Sequence, residues 1–204
     1  MNILKTQQLI NLHQAYQNCH KCSLCHTRKR VVVGTGDPNA NILICGQSPG
    51  ETEDTIGKPF VGQSGQVLDS IFSILHIKRT DLWITNALWC FIKPKEKPPP
   101  DSISICRHRL WQEIGIINPQ IIICLGTVAL EAVSRYTGSV WASRKITLTP
   151  QYINPKQYHY IGTYHPVRVL YGDAQQGILD NIVEDFKKAI NFVQIQQYIW
   201  REII

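Results

Sequence analysis

Short apolar segments alternate with amphipathic ones along this chain, and that alternation constrains the fold more than any other feature of the sequence. Apolar runs typical of buried strands lie at 40–46, 81–90, 119–126 and 157–166. Segments with apolar residues at helical spacing lie at 3–17, 64–77, 103–117, 127–136 and 177–199. The alternation predicts a three-layer α/β/α fold with a short, mainly parallel central sheet of about four strands.

Composition narrows the class of protein. The 204 residues are 44% hydrophobic and 18% charged, which excludes a disordered chain. There is no internal repeat, so we expect a single domain over 1–204. No apolar run approaches the ~20 residues that span a bilayer, and the amphipathic start does not resemble a signal peptide. We therefore expect a cytoplasmic monomer with no membrane partner. The net charge of +6 is compatible with a polyanionic partner.

Polar and glycine-rich clusters follow the predicted strands. The segment 46–54 follows the first strand, Asn86 lies in the second, Gly126 follows the third and His165 the last. In open parallel sheets, ligands bind beyond the carboxyl ends of the strands. These four clusters are therefore expected to meet along one rim of the sheet.

Clustered cysteines indicate metal or redox chemistry. Cys19 and Cys22 form a C-x-x-C that Cys25 extends, and Cys90 and Cys106 lie far downstream. Four thiolates can hold a structural zinc ion or an iron–sulfur cluster. The wide separation of the second pair slightly favours a cluster, and free thiols that never meet are the alternative.

Five segments in a fixed order carry a more specific signal. They are "QNCHKCSLCHTRKRVVVGTGDPNANILICG", "PGETEDTIGKPFVGQSGQVLD", "ITNALWC", "ICRHRLWQEIGIINPQIIICLGTVA" and "TYHPVRVL". In these segments the chain resembles the iron–sulfur (family four) uracil-DNA glycosylases. The resemblance implies hydrolysis of the N-glycosidic bond of uracil in DNA, leaving an abasic site during base-excision repair. It also implies that Cys19, Cys22, Cys90 and Cys106 ligate a structural [4Fe–4S] cluster, with Cys25 a non-ligand.

Three residues of these segments suit a pocket for an extruded base. Phe60 would form an aromatic wall against flat uracil, although it could simply be a core side chain. The Asn86 amide can accept from uracil N3–H and donate to O4, which distinguishes uracil from cytosine. His165, in a neutral form, would donate a hydrogen bond to uracil O2 as negative charge develops there. A structural histidine is the alternative.

The turn after the first strand departs from the family pattern. Gln47 stands where the family usually has glutamate, and Ser48 stands where family-one glycosylases have a water-activating aspartate. We still expect Gln47 at the catalytic centre and Ser48 against the base, with backbone N–H groups of this turn as further donors. Glu53 is expected to position or activate the attacking water; capping a helix is its alternative role.

The glutamine raises a second functional hypothesis. A protein with this pocket but a weak or absent catalytic group could bind uracil or damaged DNA without cutting it. A zinc-bearing nucleic-acid module is a third possibility, which the pocket motifs disfavour.

Basic residues near the predicted rim suggest where DNA phosphates bind. Arg168, Lys93 and Lys95 are the candidate contacts. Other basic residues flank the same rim: Arg28, Lys29, Arg30 and Lys97. The segment 167–170 could enter the duplex as a wedge, or it could only stabilise its loop.

Overall fold

The structure, a computed structural model, describes residues 3–94, 96–134, 151–153, 156–171 and 174–203. Its helices are α1 Ile3–Tyr16, α2 Glu51–Ile56, α3 Gln63–Ile74, α4 Ser102–Ile117, α5 Thr127–Ser134 and α6 Gln175–Ile203. Its strands are β1 Thr35–Gly36, β2 Ile42–Gly46, β3 Trp83–Asn86, β4 Ile121–Leu125, β5 Gln151–Ile153 and β6 Lys156–Thr163. Short 3₁₀ turns lie at Ser23–His26, Arg79–Asp81 and Pro166–Val169.

The central sheet has the strand order β1-β3-β2-β4-β6-β5. The inner strands β3, β2, β4 and β6 are parallel to one another. β1 and β5 add antiparallel edges to β3 and β6. The predicted α/β fold is therefore confirmed, and the parallel part of the sheet is the four strands that the apolar runs predict.

Both faces of the sheet are covered. Leu43 and Cys45 of β2 point into one core with residues of α4 and α5, whereas Ile42 and Ile44 point into the other with residues of α3 and α6. Successive side chains of a strand point to opposite faces, so strands buried on both sides are apolar throughout. This explains why runs such as "IIIC" are continuous rather than alternating.

β3 is shorter than the sequence suggests, because it ends at Asn86 rather than near residue 90. The next two residues still follow β2: Ala87 N–H donates to the Gly46 carbonyl and Leu88 N–H to the Gln47 carbonyl. The chain after β3 is thereby held against the turn that follows β2. Two of the predicted rim clusters are fixed to each other by the main chain.

No helix in the part of the chain described above is long and apolar enough to cross a membrane.

Candidate active site

The carboxyl ends of β2 and β3 create a confined space around Gly46. A Cβ atom placed on Gly46 would collide with Asn86 Oδ1 and with the Phe60 ring. A glycine is therefore required here by close approach, and the space above it is bordered by an amide and an aromatic ring.

Asn86 is the last residue of β3 and is only 2% exposed. Its Oδ1 atom is buried and has no hydrogen-bond partner among the described residues. Buried polar atoms are normally paired, and an unpaired one calls for an explanation such as an absent ligand. The Asn86 amide is thus available to a molecule with a hydrogen-bond donor on its edge.

Phe60 is buried at 5% exposure, and its backbone has a φ of 53°. The left-handed region is unusual for a bulky residue and costs roughly 1–3 kcal/mol. The ring is stacked near that of His165, with centroids 6.1 Å apart and planes 29° from parallel. The strained backbone thus presents the ring between Gly46 and His165.

His165 follows β6 and caps the 3₁₀ turn Pro166–Val169. Its Nδ1 atom accepts a hydrogen bond from the Val167 N–H at 3.2 Å, so the proton of a neutral ring lies on Nε2. Burial lowers the pKa of His165 to about 4, and the Glu53 carboxylate acts in the opposite direction. The imidazole is therefore neutral at physiological pH and can donate from Nε2.

Glu53 of α2 is 7% exposed and bonds to backbone on two sides. Its Oε2 accepts from the Gly50 N–H at 3.0 Å, which is the glutamate half of a capping box; the N-cap Gly50 has no side chain to supply the other half. Its Oε1 accepts from the Val61 and Gly62 N–H groups at 2.8 and 2.7 Å. These are the contacts of the capping alternative. A direct role on water stays a prediction.

Asp54, the neighbour of Glu53, is 2% exposed. Its carboxylate accepts from the Lys29 N–H at 2.9 and 3.0 Å and from the Arg30 N–H at 3.3 Å. Adjacent carboxylates of α2 therefore hold different segments: Glu53 holds the pocket loops, and Asp54 holds the chain that follows the first three cysteines.

The turn after β2 places Gln47 and Ser48 at partly exposed positions beside this space. The Gln47 carbonyl is occupied by Leu88 N–H. The roles of both side chains stay predictions.

The predicted DNA contacts are less well defined. Arg168 is exposed and lies over the Tyr164 ring at 5.5 Å, and Val167 is 37% exposed beside it. Lys93 is exposed in the proline-rich loop, whereas Lys95 lies outside the described residues.

Arg28 does not have the contacts of a free phosphate-binding residue. Its guanidinium donates to the Cys90 sulfur at 3.4 Å and to the Cys19 carbonyl at 2.6 Å.

The cysteines of the two sequence groups lie near one another. Cys19, Cys90 and Cys106 line one small cavity, and Cys22 packs in the same apolar cluster as Cys90 and Cys106. Burial raises the pKa of Cys90 to about 11, with Arg28 opposing. Burial also raises the pKa of Cys22 and Cys106, while backbone N–H groups of Leu24 and Trp89 lower them by hydrogen bonding. The described residues include no group of three or more Cys, His, Asp or Glu arranged to hold one metal ion.

Comparison with known proteins resolves the family. Residues 33–191 match the Uracil DNA glycosylase superfamily. A type-4 uracil-DNA glycosylase of Pyrobaculum aerophilum is 35% identical over 172 residues, which are 83% of this chain and 88% of the relative. The type-4 enzymes of Thermotoga maritima and Archaeoglobus fulgidus are 32% and 30% identical, over 87% and 89% of this chain and 91% and 92% of their own.

This chain belongs to the uracil DNA glycosylase superfamily.

Two arginines that bond to the backbone of the candidate site were not identified from the sequence: Arg109, which is buried, and Arg79, which is half-buried. Arg109 of α4 is 1% exposed and donates to the Asn86 and Ala87 carbonyls at 3.0 and 2.6 Å and to Glu113 Oε2 at 2.9 Å. Arg79 donates to the Phe60 carbonyl at 2.6 Å. The only sequence signal for Arg109 was the i, i+4 spacing of Arg109 and Glu113, because residues at that spacing are neighbours on a helix and can form an ion pair.

Proposed function

We propose that this protein is a uracil-DNA glycosylase of base-excision repair, which hydrolyses the N-glycosidic bond of uracil in DNA and leaves an abasic site. The observation that carries the proposal is the buried, unpartnered Oδ1 of Asn86 beside the Phe60 ring. The relatives that match most of this chain are named type-4 uracil-DNA glycosylases. Their name favours an enzyme over a protein that binds uracil without excising it.

Recognition would follow extrusion of the nucleotide from the stack. Uracil would stack on Phe60, donate from N3–H to Asn86 Oδ1 and accept at O4 from the Asn86 amide N–H. Cytosine has an amino group at that position and an unprotonated N3, so both contacts would be lost. Ser48 and the backbone of the turn after β2 would border the remaining edge.

Bond breakage would place the electron pair of the C1′–N1 bond on uracil, with the charge shared by N1 and O2. The His165 Nε2–H would donate to O2, so the imidazole stays neutral while the uracil leaves as an anion. A water oxygen would then bond to the cationic C1′ and give up a proton, which neutralises the uracil anion, so that one water yields the abasic sugar and free uracil. Gln47, at the position of the family's glutamate, would orient this water without taking its proton.

The decisive experiment is alkali cleavage of a uracil-containing oligonucleotide after incubation with the protein. We expect wild-type protein to excise uracil, so that alkali breaks the strand at that position. A matched oligonucleotide with cytosine in place of uracil should stay intact. Asn86→Asp replaces the donor to O4 by a second acceptor, so excision should fall on the order of 100-fold. Absence of wild-type cleavage under single-turnover conditions would contradict the proposal.

We further propose that Cys19, Cys22, Cys90 and Cys106 hold a [4Fe–4S] cluster. The donor set fits such a group: Cys19, Cys90 and Cys106 line one apolar cavity, Cys22 packs in the same cluster as Cys90 and Cys106, and backbone N–H groups reach Cys22 and Cys106. Each thiolate of a cubane cluster binds a different iron, so the sulfurs need not meet as ligands of one ion do. The cluster would stabilise the fold by joining the N-terminal segment to the loop before α4.

Purified protein tests this assignment directly. Iron and acid-labile sulfide should copurify with the chain, and Cys106→Ser should lose most of both. Cys25→Ser serves as the matched control and should retain them. Stoichiometric zinc in place of iron would contradict the cluster.

Arg168, Lys93 and Lys95 are proposed to contact DNA phosphates. Such contacts are independent of sequence, so charge removal should weaken binding to uracil-containing and plain DNA equally.

A further inference from the structure

The conformation of Phe60 is maintained by two side chains, those of Glu53 and Arg79, which bond to its flanking peptide groups. Its backbone lies in the left-handed region at φ 53°. On the carboxyl side, Glu53 Oε1 accepts from the next two N–H groups at 2.8 and 2.7 Å. Arg79 donates to the Pro59 carbonyl on the amino side and to the carbonyl of Phe60 itself, in the same peptide group as the Val61 N–H. A strained residue persists only where its surroundings over-determine it, and here they do.

Each of the three guanidinium nitrogens of Arg79 donates a hydrogen bond. Nη2 donates to the Phe60 carbonyl at 2.6 Å, Nη1 to the Pro59 carbonyl at 3.3 Å, and Nε to Asp69 Oδ1 at 2.9 Å. A lysine ammonium is a point charge and cannot hold two successive carbonyls and a carboxylate in fixed directions. The arrangement therefore requires arginine, and it fixes the peptide groups on which the Phe60 ring is mounted.

The Phe60 carbonyl has little room to move. A Cβ on Gly65 would collide with the Phe60 carbonyl group, so α3 packs directly on this peptide. Arg79 itself lies in the 3₁₀ turn that leads into β3, the strand that ends at Asn86. One guanidinium thus connects the loop of the aromatic wall to the strand that carries the amide.

We propose that Arg79 is a positioning residue for base recognition, acting on uracil only through the Phe60 ring. This inference rests on the proposed function, because it names what sets the stacking geometry of that pocket. In this role Arg79 would touch neither the base nor the sugar, because its donors are directed to Asp69 and to the Pro59 and Phe60 carbonyls. Its contribution is to hold the ring in the orientation that a flat base needs.

A double-mutant cycle separates this role from general stabilisation. Arg79→Met, Phe60→Ala and the double variant would be compared for kcat/KM on uracil-containing DNA and for equilibrium binding of free uracil. Loss of base stacking corresponds to about tenfold in affinity, so Arg79→Met should weaken both readouts by about that factor. In the Phe60→Ala background the same change should have no further effect.

Two further variants keep the test sharp. Asp69→Asn removes only the exposed ion pair, whose carboxylate side chain is 56% exposed, and should leave both readouts within about twofold. Arg79→Lys keeps the charge but not the fork, and should fall between wild type and Arg79→Met. The proposal would be overturned if the fold-loss of the double variant equalled the product of the two single-variant losses. Unchanged uracil binding in Arg79→Met would also overturn it.

Free-uracil binding distinguishes this failure from failure of the proposed function. If wild-type protein binds uracil but cleaves nothing, the function is wrong and Arg79 is still tested by the binding cycle. If wild-type protein neither cleaves uracil-containing DNA nor binds uracil, both proposals are wrong. If it cleaves but binds free uracil too weakly to measure, the kcat/KM cycle alone tests Arg79.

Discussion

The imidazole of His165 shows how one side chain can be set for its task by its surroundings. Val167 N–H occupies Nδ1, and burial lowers the pKa to about 4. Both influences favour the neutral ring with its proton on Nε2. A neutral donor suits a leaving group that gains negative charge gradually, because the pocket need not bury a full positive charge first.

This pKa predicts an unusual pH profile. Because His165 is already neutral well above pH 4, single-turnover excision should not show a histidine titration near the ordinary value of 6.5. Activity that depends on this group should fall only as the pH approaches about 4. The measurement is a single-turnover rate series, and an inflection near 6.5 that His165→Asn abolishes would contradict it.

Phe60 and Asn86 illustrate different limits of sequence reasoning. The strand pattern placed Asn86 in the second strand, and the strand in the structure ends at Asn86 rather than near residue 90. The left-handed backbone of Phe60 left no such trace, since it depends on Glu53 and on Arg79, which lies 19 positions away in the chain. Arg28 was grouped by its charge with the basic residues that flank the rim, and nothing in the sequence indicated that its guanidinium bonds to the Cys90 sulfur and the Cys19 carbonyl.

The six-residue helix α2 holds two loops through adjacent acids. Glu53 binds three N–H groups of the pocket turns, and Asp54 binds the N–H groups of Lys29 and Arg30. Charge-assisted bonds from a carboxylate to backbone N–H are among the stronger hydrogen bonds in proteins. α2 therefore connects the base pocket to the cysteine segment.

Glu53→Gln separates the two roles considered for this residue. An amide can accept on one side only, so at least one N–H group would lose its partner. We expect the free energy of unfolding to fall by about 1–3 kcal/mol and free-uracil binding to weaken. Glu51→Gln, on the exposed face of the same helix, is the matched control. Unchanged stability and uracil binding with a slower chemical step would instead assign Glu53 to the attacking water.

The edges of the sheet were harder to predict than its centre. β2, β3, β4 and β6 follow from apolar runs buried on both faces. β1 spans two residues and β5 spans three, so each is defined by its antiparallel neighbour rather than by its own composition. Most of a predicted hairpin at 141–153 lies outside the described residues.

A buried polar network links the distant parts of the molecule. Arg109 pairs with Glu113 at 2.9 Å, stacks on Trp89 at 3.9 Å and satisfies the carbonyls after β3. Glu113 accepts in turn from Trp83 Nε1 and Thr85 Oγ1, both at 2.9 Å. Arg109 also lines the cavity of the cysteines. Every charge in this network is compensated, which is the condition for keeping ions in a core.

Arg109→Met should therefore be severely destabilising. It leaves Glu113 as an unpaired buried charge, and removal of one partner of such a pair costs about 3–5 kcal/mol. Arg107→Met on the same helix is the control, because its ion pair with Glu131 is 4.0 Å long and partly exposed; we expect a loss of about 1 kcal/mol or less. Denaturant midpoints measure both, and equal losses would contradict the argument.

Acid stability should depend on two histidines. Burial lowers the pKa of His13, between Trp83 and Trp89, to about 4, and Arg109 adds to the shift. Burial likewise lowers the pKa of His165 to about 4. Unfolding frees both to bind protons below pH 6.5. The free energy of unfolding should thus fall by about 1.4 kcal/mol per pH unit for each histidine as the pH drops toward 4.

A comparison of variants checks this linkage. His13→Gln should show a shallower loss of stability than wild type between about pH 6.5 and about pH 4, and the same slope above that window. Identical slopes throughout would show that His13 is not buried in its neutral form.

The position of β6 has a consequence for the newly made chain. This strand is late in the sequence but internal in the sheet, between β4 and β5. A polypeptide still leaving the ribosome can already contain Phe60 and Asn86, yet it lacks the strand that delivers His165. On the proposed chemistry, competence to break the glycosidic bond would arrive only once β6 has been made, after the parts that hold the base.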